Sequence, residues 1–145
     1  MKILVVSQYF YPENFIINDL LETISKKNHQ ITVLTGKPNY PNGIIFPGYN
    51  KLGILRENYN SINVIRVPII PRKKSNIINL FINYCSFIIS GLLFFPFLVK
   101  KNNCDIIFSY LPSPITSAIP AIFLSFLKKK KLILWVQDIW PDNLF

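Results

Sequence analysis

Histidine, cysteine, glycine and acidic side chains are all scarce in this chain, and each scarcity closes off a class of chemistry. The only histidine, His29, lies between a helical segment and a strand segment. Placed there, it leaves no Ser–His or Cys–His pair to be drawn and no histidine-based metal centre. Cys85 and Cys104 lack metal-ligand spacing and read as buried, reduced thiols. None of the five glycines falls in the first strand-to-helix turn. The dinucleotide fingerprint is therefore absent, as is the phosphate-cradling GxxxxGK[ST] loop. No cofactor and no metal are expected.

Acids are few as well: seven against 16 lysines and arginines, a net charge of +9 over 145 residues. Half of the residues are hydrophobic and 16% are charged, against about 25% charged in an ordinary globular domain. A greasy, basic chain fits an anionic membrane surface better than nucleic acid. Apolar residues at the N-terminus stop at Val6, too short a run for a signal peptide, so the expected location is the cytoplasm. The length suits one domain or half of a larger protein.

Along the chain, short apolar runs at Ile3–Val6, 30–35, 62–67, 105–110 and 132–136 read as strands of a parallel sheet. Helical spacing follows the first run, with Asn14 as its expected N-cap, and continues to Lys27. Strand, helix and strand in succession predict a right-handed βαβ unit. Residues 36–60, rich in Pro, Gly and aromatics, read as an ordered loop without regular structure. Ser113 as N-cap and Pro114 at the first helical position predict a helix to about Leu127, kinked at Pro120.

Residues 77–99 carry no charge and are flanked by Arg72, Lys73, Lys74, Lys100 and Lys101. By length alone the segment is a transmembrane candidate. Its polar residues Asn79, Asn83, Ser86 and Ser90 nevertheless form one narrow stripe. The favoured reading is a helix with one side on the sheet and the other in the membrane interface. A spanning anchor and a helix buried under a partner domain are the alternatives.

In a parallel sheet, ligands gather at the C-terminal ends of the strands. Those ends carry residues 8–14, 35–41, 110–114 and 137–142, three of them combining aromatic, proline and polar side chains. Asp138 is the best-placed acid and Glu13 the second, either suited to orienting a sugar hydroxyl or acting as a base. Asn14, Tyr40, Tyr110, Ser113 and Trp140 complete the candidate substrate-binding set.

Six segments in order carry a resemblance: KILVVSQYFYPEN at 2–14 with Asn18 and Asp19, LTGKPNYPNG at 34–43, FPGY at 46–49, VIRVP at 64–68, PSPIT at 112–116 and WVQDIWPD at 135–142. Through them the chain resembles the N-terminal half of family 4 glycosyltransferases of the WbuB type, which build bacterial surface polysaccharides. The resemblance implies a Rossmann-like domain of a two-domain, B-type enzyme. Residues 1–145 would be the acceptor-side domain, incomplete, with the donor-binding domain absent, and are expected to be inactive alone. It further implies a retaining, metal-independent transfer from a nucleotide sugar, held by the missing domain, to a polyprenyl-diphosphate-linked glycan. The expected setting is the inner face of the cytoplasmic membrane, contacted through residues 72–101. Pro12 to Asn14 would approach the donor phosphates, although the glycine pair of many relatives is missing there. Asp138 would stand near the reacting hydroxyl, with Tyr110, Ser113 and Trp140 on the acceptor side. A non-catalytic membrane or subunit module, working with a separately encoded donor domain, is the competing reading.

Overall fold

The first apolar run does become a central strand. In a computed structural model, which describes residues 1–50, 52–73, 76–99 and 104–138, β1 (Lys2–Ser7) pairs in parallel with β2 (Gln30–Gly36) on one side. On its other side it pairs in parallel with β5 (Ile106–Leu111). Beyond β2 lies β4 (Ile62–Val67), and beyond β5 lies β6 (Lys131–Val136), both parallel. The sixth strand, β3 (Leu55–Tyr59), is antiparallel and closes the far edge against β4, giving the order β3-β4-β2-β1-β5-β6. The architecture is thus α/β with a mixed, mostly parallel sheet, compatible with a Rossmann-like fold.

β3 corrects the expectation of a structureless stretch from 36 to 60. Asn60 and Ser61 both take positive φ, 45° and 67°, and turn the chain directly from β3 into β4. Two consecutive left-handed residues make the two-residue hairpin turn whose twist matches its strands.

Helix α1 (Ile16–Ser25) crosses from β1 to β2 on one face. There Ile17 and Leu21 pack onto Val5, Ile31 and Val33. Its N-cap is Phe15, without a side-chain cap, so Asn14 does not start the helix. Helix α2 (Ile77–Leu98) and helix α3 (Ile119–Lys128) cover the opposite face. Phe87, Phe95, Ala121 and Leu124 pack there on Leu4, Val6 and Ile107.

The expected single helix kinked at Pro120 is replaced by a 3-10 turn (Ile115–Ala118) followed by α3. Pro120 sits in the first turn of α3, where its missing N–H costs nothing. Ser113 is not a cap, and Ser117 instead donates to the Pro114 carbonyl at 2.8 Å. Of the two thiols, both free, Cys104 is buried and Cys85 only half-buried.

Chain direction reverses at the middle of the sheet. From β1 it runs through β2 to β4, then returns through α2 to β5 and β6 on the other side. The C-terminal ends of β1 and β5 therefore flank a topological switch point, where open α/β sheets form their ligand crevice.

Candidate functional site

Four segments meet at this edge: residues 8–14 after β1, 37–41 after β2, 68–72 after β4, and the first half of α2. Buried polar side chains hold them together. Gln8 Nε2 donates to Asn83 Oδ1 at 2.8 Å, and Asn83 Nδ2 donates to the Ile70 carbonyl at 2.6 Å. Asn39 Oδ1 accepts from the Arg72 amide at 3.1 Å and from Asn83 Nδ2 at 3.5 Å. Further along α2, Ser86 Oγ accepts from the Ile70 amide at 2.9 Å and Ser90 Oγ donates to the Pro68 carbonyl at 2.6 Å. The polar stripe of the 77–99 segment is thus turned inward, clasping the strap 68–72.

Glu13 is the centre of a second clasp. Its Oε1 accepts from the amides of Asn39 and Tyr40, both at 2.8 Å, and Oε2 from the Phe10 amide at 3.3 Å. Only 1% of the residue is exposed. Burial pushes the carboxyl up to about 7, against the opposing pull of those amides and of nearby Arg66. A carboxylate so enclosed positions the two loops and is not offered to a ligand. Asn18 reinforces the first loop, accepting from the Tyr11 amide at 3.0 Å and donating to the Glu13 carbonyl at 2.7 Å.

Arg66, fully buried, pairs with Glu57 at 2.5 Å and donates to the Gly36 carbonyl at 3.3 Å and to the Tyr11 carbonyl. It ties the β3–β4 hairpin to the same loops. The sequence alone assigns no site role to Arg66, Gln8, Asn39 or Asn83, although Asn83 belongs to the polar stripe and Gln8 and Asn39 lie at strand ends. Their signal was present: an arginine inside an apolar strand, an amide inside an uncharged helix, and amides just beyond two strand ends.

A chain of aromatic rings packs beside the clasp. Tyr9 stacks on Phe15 at 4.9 Å, Phe15 meets Tyr40 at 5.2 Å and Tyr110 at 6.5 Å, and Tyr110 meets Trp135 at 5.2 Å. Tyr40 is exposed, with the Arg72 guanidinium 5.1 Å from its ring centre. Tyr110 is buried, and its hydroxyl donates to Gln137 Oε1 at 2.5 Å, beside Asp138. Burial raises the Tyr110 phenol and lowers the Lys37 amine from their ordinary values.

Of the predicted site residues, Tyr40 and Tyr110 are joined through Phe15. Asn14 is exposed, whereas Ser113 and Asp138 are half-buried at the ends of β5 and β6. Trp140, with the neighbouring Pro141 and Asp142, lies outside the described residues. Two buried polar atoms at this edge have no hydrogen-bond partner, Gln8 Oε1 and Arg72 Nε. The half-buried Arg72 guanidinium beside an exposed tyrosine suits a ligand with hydroxyls and negative charge. Among the described residues, no three His, Cys, Asp or Glu side chains gather as metal ligands. No protein-family model matches this chain, and no curated protein sequence matches it.

Proposed function

We propose that this chain is the acceptor-binding half of a retaining glycosyltransferase of the family 4, WbuB-like type. It presents a polyprenyl-diphosphate-linked glycan to a nucleotide sugar held by a second domain, in surface polysaccharide synthesis. The work takes place on the cytoplasmic face of the membrane, with residues 72–101 against the lipid. Asp138 orients the acceptor hydroxyl. Tyr40, Tyr110 and Ser113 line the acceptor side, and Asn14 lies toward the donor.

The observation that carries this reading is the junction at residues 68–72. There the crevice edge, with the Arg72 guanidinium 5.1 Å from the Tyr40 ring centre, meets the start of a helix whose outer face is apolar. A sugar on a diphosphate linked to a lipid needs those two environments side by side.

The test is retention of the chain on lipid nanodiscs. Discs carrying a polyprenyl-diphosphate-linked sugar should hold it about tenfold better than discs of the same lipid alone, a gain of about 1.4 kcal/mol. Arg72→Ala should remove most of that gain. Equal retention on both discs, or sub-millimolar affinity of the isolated chain for a nucleotide sugar in calorimetry, would overturn the proposal.

A further inference from the structure

The outward face of α2 is not alone. Its outer ridge, the exposed Ile77, Phe81, Ile89, Leu93 and Phe97 with the half-buried Cys85 between them, repeats every fourth residue. The buried ridge, Asn83, Phe87, Gly91 and Phe95, has the same repeat, offset by two positions. Two residues of helix rotate roughly 200°, so the ridges lie back to back. Phe97 is 88% exposed and Ile77 85%, at opposite ends of the helix.

Beside it, α3 and its 3-10 turn expose Ile115, Ile119, Ile122, Phe123, Phe126 and Leu127. The helices are in direct contact: a Cβ placed on Gly91 would lie 2.7 Å from Pro120 Cγ. Gly91 is therefore the close-approach point that lets α3 lie flush against α2. Each helix starts from the crevice edge and returns toward the opposite edge, so the two run in the same direction.

Basic groups bracket this double apolar face. Lys73 stands exposed at the crevice end. At the far end are Lys128, whose Nζ donates to the Val99 carbonyl at 2.9 Å, and the exposed Lys129 and Lys131. Apolar area framed by cations is complementary to an acyl boundary beneath anionic headgroups.

We infer that α2 and α3 form one insertion face for an anionic phospholipid bilayer, in which α3 and the 128–131 lysines are as necessary as α2. This rests on the membrane-surface part of the proposed function and adds α3 to it. Both helices then lie along the bilayer, roughly 33 Å of α2 at about 1.5 Å per residue, with the crevice opening sideways at headgroup level.

The experiment is flotation of the whole chain with vesicles of phosphatidylcholine containing or lacking phosphatidylglycerol, with circular dichroism checking the fold. F126S/L127S and F81S/L93S alter only exposed side chains, and each should lower partitioning about tenfold or more. Replacing Lys129 and Lys131 by Gln should erase most of the preference for anionic vesicles. Parent-like binding by F126S/L127S, with binding lost in F81S/L93S, would overturn the two-helix face and leave the 72–101 contact standing. No flotation of the parent would overturn both. A dimer in sedimentation that F126S/L127S dissolves, without flotation, would assign the face to a second copy of the chain instead.

Discussion

Helices α1 and α2 cover opposite faces of the same sheet and are built inside out relative to each other. In α1, Ile17 and Leu21 face the core while Asp19 and Thr23 face water, as does the C-cap Lys26. In α2, Asn83, Ser86 and Ser90 bond inward to the strap 68–70, and Ile89, Leu93 and Phe97 face outward. Hydrophobic burial holds α1 down. For α2 it acts through Phe87 and Phe95, but side-chain hydrogen bonds specify which way the helix is turned. An ordinary helix in water keeps its polar stripe outside. Inversion of that rule leaves α2 with an apolar outer surface and an inward polar stripe.

The sharpest way to break this contrast is a mirrored pair of truncations. Leu21→Ala, at 1% exposure, should cost about 2–5 kcal/mol in urea denaturation. Leu93→Ala, at 58% exposure, should stay within about 0.5 kcal/mol of the parent. Equal losses at the two sites would show that the outer face of α2 is covered in solution.

Next in size is Asn83→Leu. It strands Gln8 Nε2 and the Ile70 carbonyl, both bonded to Asn83 in the parent. The expected loss is roughly 2–4 kcal/mol, with weaker hydrogen-exchange protection at Ile70 and Arg72. A stabilised Asn83→Leu protein would mean that the inner ridge is held by apolar packing alone.

The smallest effect is one of pH. Glu13 is raised from 4.5 to about 7 in the fold, so the folded state binds more protons than the unfolded state between those values. Its contribution to stability is therefore greatest below pH 4.5 and declines as pH rises to about 7. The decline corresponds to about 3 kcal/mol at most. Glu13→Gln should lack that decline when its stability is compared with the parent's from pH 4 to 8. A parent and variant with parallel profiles would remove Glu13 as a titrating clasp.

Much of the sheet was legible because buried parallel strands read as apolar runs: five of the six strands follow from them. β3 escaped because its outward residues Arg56 and Asn58 interrupt a run of only five. Its one local signal was the Asn60-Ser61 turn. Spacing revealed the polar stripe of α2, but direction is a tertiary property, set by Gln8 and by carbonyls outside the helix. Glu13 was visible as an acid at the right edge. Its enclosure was not, since the amides that surround it include those of Asn39 and Tyr40, brought in by the second loop. Pro96 sits in the last turn of α2, and the helix stops at Leu98.

The antiparallel hairpin strand gives the sheet a polarity of growth. On the β3 side, reversed direction, outward Arg56 and Asn58 and the Arg66–Glu57 pair make a poor template for another strand. On the β6 side, a parallel strand with exposed Ile133 and Leu134 has no strand beyond it among the described residues. Among the described residues, the better berth for a strand extending this sheet is therefore beside β6, the strand that carries Asp138 at its end.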